Sequence, residues 1–392
     1  MIGISKLYCG TEEAGDALRY GRRGAPSGDP LASAAGKKPV VVWNCTQRCN
    51  LRCVHCYSSS TAAPAADELT GDEAREMIDD LARFGAPVIL FSGGEALLRE
   101  DIIELVARAR QVGLRTVLST NGTLITEAVA ERLSKVGLDY AGVSLDGMAE
   151  VNDAFRGVEG AFAKALAGIR NCRRVGIKVG LRLTMNRRNV RDIPAVFDLI
   201  DREQIPRACF YHLVPTGRGE KFIGEALTHE QTRAALELIM DRTAALHAAG
   251  GRLEVLTVDN HADGPYVYLH LLRESPARAA ECLRLLQISG GNSSGVGIGC
   301  ISCSGDVHPD QFWRRRVLGN VRSRPFSEIW SDERQPLLAK LRNRKGHLTG
   351  RCRRCRWLDV CNGNLRARAE AAGGDAWGDD PACYLSEQEI TG

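Results

Sequence analysis

From residue 39 onward, short apolar runs alternate with amphipathic segments, and this alternation limits the chain to very few folds. The runs are Val40–Trp43, Val88–Phe91, Arg115–Leu118, Tyr140–Ser144, Ile177–Leu183 and Cys209–Val214. Between them, helical spacing of apolar residues predicts helices over Asp72–Phe84, Glu100–Val112, Glu127–Val136, Ala161–Val175 and Ile193–Ile200. Thr70, just ahead of Asp72 and Glu73, is a helix-start residue. Strands joined by helices of this length form a parallel sheet with crossover connections. Six such units in roughly 190 residues predict an α/β fold, a partial (β/α)6 TIM-like barrel rather than a full eightfold one. An open, doubly wound sheet produces the same pattern. In both, ligand-binding loops lie at the carboxyl ends of the strands.

The rest of the 392-residue chain divides around this block. Residues 1–38 are rich in Gly, Ala and Ser and read as an N-terminal extension that packs loosely or covers a surface. Residues 39–250 form the expected barrel, and 251–392 a bridging region and a C-terminal metal-stapled domain. Across that boundary, residues 228–287 look mainly helical, broken by a possible strand at Arg252–Val258. The last fifty or so residues have too few apolar positions to fold on a core alone. A net charge of +4 is too mild for a nucleic-acid binder and compatible with an acidic small molecule. No apolar run reaches the length of a membrane span, and the first residues lack the apolar stretch of a signal peptide. A cytoplasmic location is expected. There, 14 cysteines point to metal binding or redox chemistry rather than disulfides. They gather at 45–56 and 352–383, with a looser group at 282–303.

Cys49, Cys53 and Cys56 follow the first strand in a C-x3-C-x2-C run. Three thiolates at this spacing hold three irons of a [4Fe-4S] cluster and leave the fourth iron open to a chelating ligand. The competing reading is a zinc site completed by Cys45 or His55. The second strand ends in Ser92-Gly93-Gly94-Glu95, where two glycines let a ligand approach the backbone and a carboxylate can accept from an ammonium group. Ser119-Thr120-Asn121-Gly122 ends the third strand and Ser144-Leu145-Asp146-Gly147 the fourth. Taken singly these are helix caps or Asx-turns; four successive strand ends with polar, ligand-sized motifs make a common site. Near the C-terminus, Cys352, Cys355, Cys361 and Cys383 supply the four ligands of a second cluster, or of a structural zinc.

Together these motifs resemble the radical S-adenosylmethionine (SAM) superfamily over about residues 39–215, with a SPASM- or twitch-like Fe–S domain after it. The resemblance implies that Cys49, Cys53 and Cys56 hold the cluster and that SAM chelates its open iron. Gly93, Gly94 and Glu95 would bind the methionine part, Ser119, Asn121 and Ser144 would lie near the ribose and carboxylate, and His55 would pack near the adenine. The SPASM pattern expects a further cysteine four positions past Cys361, where Leu365 stands; Cys282, Gly295 and Cys300 only partly imitate its upstream half. One auxiliary cluster is therefore expected, on Cys352, Cys355, Cys361 and Cys383, giving two [4Fe-4S] clusters in all.

KPVVVWNCTQRCNLRCVHCYS, FYHLVPTGRG, GGNSSGVGIGC, HPDQFW, LGNVRSRPFSEIW and CNGNLRARAE are similar to the tetrapyrrole-modifying subgroup of that superfamily. That subgroup includes didecarboxysiroheme deacetylases and heme d1 biosynthesis enzymes, and the opening MIGISKLYCG favours the former. The implied reaction removes acetate side chains to give Fe-coproporphyrin III; the alternative acts on the propionates, and a peptide-modifying SPASM activity is a third possibility. An anionic tetrapyrrole and a one-electron donor of flavodoxin or ferredoxin type are the implied partners. Arg218, Arg314 and His308, beside Phe312 and Trp313, are the candidates for meeting an anionic macrocycle.

Overall fold

The computed structural model describes residues 1–13, 15–21 and 38–392. A two-residue strand, β1 (Ile2–Gly3), opens the chain. All six expected strands form: β2 (Val40–Asn44), β3 (Val88–Ser92), β4 (Arg115–Thr120), β5 (Tyr140–Ser144), β6 (Lys178–Met185) and β7 (Arg207–His212). A seventh, β8 (Glu254–Val258), falls where the sequence allowed a strand inside the bridging region. β2 to β8 pair in parallel and in chain order. The result is the partial, TIM-like barrel, a curved sheet that does not close on itself: β1 caps one edge by antiparallel pairing with β8.

The other edge is extended from the far end of the chain. β9 (Ile298–Ile301) pairs in parallel with β2, and β10 (Asp306–His308) and β11 (Gly319–Asn320) follow as antiparallel neighbours. The C-terminal region is thereby joined to the strand that leads into Cys49, Cys53 and Cys56. It is continuous with the barrel sheet, not tethered beside it.

Helices cover the outer face. Gly71–Phe84 begins with a capping box in which Thr70 and Glu73 satisfy each other's backbone N–H, and it turns Met77, Ile78 and Leu81 into the core. Ile102–Gln111, Glu127–Lys135, Ala161–Arg174 and Ile193–Arg202 repeat this arrangement, with Leu105, Leu133, Ile169 and Phe197 buried. A further helix, Ala149–Arg156, was not expected from periodicity; it is short and follows the fourth strand's polar loop. Of the expected N-terminal extension, Ile2, Ile4 and Leu7 are buried in the main core. The stretch is too short for periodicity to mark it, yet it packs beside β8 through β1. Residues 22–37 of that extension lie outside the described residues.

Candidate active site

The concave side of the sheet encloses a cavity at the carboxyl ends of the strands, bounded by Cys49, Cys53 and Cys56, by Gly93 and Gly94, and by Ser119, Asn121 and Ser144. All eight of these residues, and His55, also on the wall, come from strand-end motifs the sequence singled out. The cysteine loop is pinned in place by backbone contacts. Gly94 N–H donates to Thr46 O at 2.7 Å and Glu95 N–H to Arg48 O at 2.8 Å. These contacts explain the paired glycines. A Cβ on Gly94 would stand 2.2 Å from Arg48 O, and one on Gly93, at φ 130, 2.4 Å from Thr46 O. Gly94→Ala is therefore expected to displace the loop and cost the protein about half its iron, read by iron analysis, while circular dichroism stays that of the folded sheet.

Glu95 sits behind the wall, fully buried. Its Oε1 accepts from Thr120 Oγ1 at 2.8 Å and Leu97 N–H at 3.3 Å, and its Oε2 from Asn121 N–H at 2.8 Å. Burial raises its pKa against these donors. The carboxylate thus ties the second strand end to the third. Asn121 carries the tie onward, donating from Nδ2 to Asn50 Oδ1 in the cysteine loop at 2.9 Å. Ser119 Oγ accepts from Arg182 at 2.6 Å.

The thiols differ in electrostatic setting. Burial pushes Cys49 up to about 11, against a backbone N–H from Leu51. Cys53 is raised by burial too, although Arg156 opposes the shift from 3.5 Å. At Cys56, burial is outweighed by the Ser58 and Ser60 hydroxyls, 3.2 and 3.3 Å from Sγ, and the thiol lies below its usual value. Arg156 is also held by Asp146, at 2.5 Å, and His55 Nε2 lies 3.3 Å from the same carboxylate. Burial drops His55 to about 4, so the ring is neutral, and it packs at a tilt against Phe155, 4.7 Å between ring centres. Arg156 was missed by sequence reading because it ends a helix with no polar motif around it; only its place after Ser144-Leu145-Asp146-Gly147 offered a hint.

Arg218 and Arg314 clamp the cysteine loop from outside. Arg218 donates to Cys53 O at 2.9 Å and Ser60 O at 2.6 Å, and Arg314 to Ser58 O at 2.6 Å. His308 is buried, donates from Nδ1 to Arg316 O at 3.0 Å, and is lowered in pKa by that burial.

In the C-terminal region, Cys352, Cys355, Cys361 and Cys383 come together. Burial raises Cys361 well above its usual value, with the charges of Cys383, Cys352 and Cys355 adding to it. Cys361 lies at the end of a one-turn helix, and the chain reverses through Asn362, Gly363 and Asn364, all at positive φ (55, 75 and 56). Asp380, three residues before Cys383, fixes the return: it accepts from Leu365 N–H and Ala382 N–H and forms a buried ion pair with Arg368. Cys282 and Cys300 are elsewhere. Cys282 is packed in the helix Pro276–Ser289, and Cys300 lies in β9, its Sγ 3.5 Å from Asn44 Nδ2.

Comparison with known proteins places this geometry. The family model for the radical SAM superfamily matches residues 43–200, and that for an iron-sulfur cluster-binding SPASM domain matches 297–356. Fe-coproporphyrin III synthase of Methanosarcina barkeri is 59% identical over 395 residues, covering 100% of this chain and 99% of the relative. The chain belongs to the radical SAM superfamily. Pre-heme d1 synthase of Dinoroseobacter shibae is 45% identical across 92% of this radical SAM chain and 89% of its own length. Among solved structures, Streptococcus suis SuiB bound to precursor peptide SuiA superposes with a TM-score of 0.71 at 17% identity, covering 90% of this chain and 78% of that one. Native anSMEcpe with bound AdoMet and a peptide gives 0.67 at 19%, covering 88% and 94%. At such identities the likeness is one of fold.

A radical SAM enzyme carries a [4Fe-4S] cluster that binds SAM, and the SPASM domain adds cluster chemistry at the C-terminus. The donors in the structure suit both. Among the described residues no three His, Cys, Asp or Glu side chains converge as they would on a single metal ion. A cluster instead takes one thiolate per iron, from thiols standing around it. Cys49, Cys53 and Cys56 border a cavity with room beside them, and the C-terminal set offers four thiols.

Proposed function

We propose that the chain removes the acetate side chains of 12,18-didecarboxysiroheme to give Fe-coproporphyrin III. The observation that carries this is the end-to-end 59% identity with Fe-coproporphyrin III synthase, which leaves no domain of either protein unmatched. The peptide-bound structural neighbours share 17–19% identity and speak to fold, not substrate.

Cys49, Cys53 and Cys56 would hold the SAM-binding cluster, and Cys352, Cys355, Cys361 and Cys383 the auxiliary one. When bound, the cluster and SAM would supply the radical chemistry for hydrogen abstraction from the substrate. The chain's own residues set the stage for that chemistry. Gly93 and Gly94 bring backbone polar groups to the methionine end of SAM. Glu95 holds Thr120 and Asn121 at the wall, where Ser119, Asn121 and Ser144 would meet the ribose and carboxylate. His55, neutral and packed against Phe155, would offer a ring face to the adenine. Arg156 places a fixed positive charge 3.5 Å from Cys53 Sγ, where it would favour an electron added to a cluster held there. The enclosing strand ends and the C-terminal region keep water from the reacting atoms. A flavodoxin- or ferredoxin-type donor in the cytoplasm would supply the electron.

Anaerobic incubation with didecarboxysiroheme, SAM and a low-potential reductant is expected to give Fe-coproporphyrin III with 5′-deoxyadenosine, identified by mass. A product altered at the propionates would favour the heme d1 reaction instead, and an untouched tetrapyrrole would sink the proposal.

A further inference from the structure

The cavity has a second wall, made by the ends of β7 and β8 and by the C-terminal region. Tyr211, His212, Asp259, Gln311 and Phe312 line it. Asp259 directly follows β8 and has φ 67, in the left-handed region where Asn and Asp are the least disfavoured of the non-glycine residues.

That conformation is held from the C-terminal side. Asp259 O accepts from Arg368 at 2.7 Å, the same arginine that pairs with Asp380. The next residues are gripped as well: Asn260 Nδ2 donates to Ala382 O at 2.9 Å, Asn364 Nδ2 to Asn260 Oδ1 at 2.7 Å, and His261 N–H to Asn364 Oδ1 at 2.8 Å. The turn is thus built against the segments that carry Cys361 and Cys383.

With the backbone held this firmly, the side chain is left over. Asp259 Oδ2 is buried with no hydrogen-bond partner, and so is Oε1 of Gln311 on the same wall. Two buried acceptors without donors are costly unless something else occupies the space between them. An apolar ring, Phe312, follows Gln311 on the same wall, and Tyr57 meets it edge-on at 5.5 Å. A flat apolar face flanked by polar groups suits a macrocycle that carries acidic side chains.

We propose that Asp259 binds a side-chain carboxylate of the tetrapyrrole by sharing one proton with it. The proposal rests on the tetrapyrrole reading above and names the residue that meets the substrate's acid group. No electron moves in the exchange. The O–H bond of the Asp259 carboxyl lengthens or breaks as an O–H bond forms on the substrate carboxylate, and the pair together keeps a single negative charge.

The surroundings support it. Burial lifts the Asp259 carboxyl to about 7, with Asp310 adding to the rise, while the α-amino group of Met1, Arg368 and His212 oppose it. Tyr211, itself raised by burial, faces the same carboxyl. His212 is engaged on its other side: Nε2 lies 2.9 Å from Asp263 Oδ2, and Tyr384 donates to Asp263 Oδ1 at 2.8 Å. Below about pH 7 Asp259 carries the proton and the pair forms; above it, two carboxylates meet and repel.

The test is equilibrium binding of didecarboxysiroheme to the anaerobic holoenzyme without SAM, followed by the absorbance of the tetrapyrrole. With one controlling group near 7, affinity should fall about tenfold from pH 6 to pH 8, since the protonated fraction drops by about that factor. In Asp259→Asn, whose amide does not titrate in this range, affinity should be flat with pH. Asp259→Glu should restore the slope. Iron content confirms that each variant is loaded. A slope that persists in Asp259→Asn, or is absent from the unaltered protein, overturns the proposal and leaves the tetrapyrrole reading standing. Failure of the unaltered protein to bind the tetrapyrrole at any pH overturns both.

Discussion

Replacing Cys49, Cys53 and Cys56 together by alanine is expected to leave about four of roughly eight irons per chain and to abolish 5′-deoxyadenosine formation. The loss should be local, because the thiols do not hold the loop in place. Arg218 and Arg314 donate to Cys53 O, Ser60 O and Ser58 O, and Gly94 and Glu95 bond to Thr46 and Arg48. These contacts use main-chain atoms or residues outside the cysteines, so the loop keeps its path when the thiols are gone. The four C-terminal thiols lie in another part of the molecule, anchored by Asp380 and Arg368. Iron analysis and EPR of the reduced protein measure the result. A triple variant that keeps all its iron would show that the N-terminal thiols are not cluster ligands.

The barrel was legible because its strands are fully buried apolar runs and its helices amphipathic, two patterns that do not depend on distant residues. The strand at Glu254–Val258 was harder to assign, since helices flank it on both sides in what reads as a bridging region; β7 pairing gives it its place. Pairing of β9 with β2 was not legible at all. It joins residues about 260 positions apart, and no local pattern announces such a contact. The strand-end motifs lie along the cavity, but the sequence does not show the direction in which each side chain points. Glu95 has the polarity of a ligand-binding group and spends its oxygens on Thr120, Leu97 and Asn121. Arg218 and Arg314 have the charge to meet an acid and spend it on carbonyls of the cysteine loop. Asp259 went unnoticed for the opposite reason: a single aspartate after a strand has no motif, and only its strained backbone and unpartnered oxygen set it apart.

Cys383→Ala is expected to remove the auxiliary cluster, while Cys282→Ala and Cys300→Ala keep it. Ligand counting from the sequence selects Cys383 as the fourth ligand over Cys282 and Cys300. Cys352, Cys355 and Cys361 fall within one short run, and the remaining thiol has to return to them from elsewhere in the chain. Cys383 does so. It acts electrostatically on Cys361 and on Cys352, and feels Cys355 in turn. Its approach is fixed by Asp380, whose carboxylate joins Leu365 N–H, Ala382 N–H and the Arg368 guanidinium. The charges acting on Cys300 are those of Arg314 and Asp310, and on Cys282 those of Arg278 and Glu281. Cys300 is moreover held in β9 by its ladder with β2, and Cys282 in the interior of a helix, so bringing either to Cys361 would break secondary structure. A cluster left with three protein ligands has an exposed iron and is readily lost or converted to a [3Fe-4S] form. Cys383→Ala should therefore lose up to half of the iron and the second EPR signal of the reduced protein, with the signal of the SAM-binding cluster retained. The opposite pattern, a second signal lost in Cys300→Ala and kept in Cys383→Ala, would move the ligand set upstream and refute this assignment.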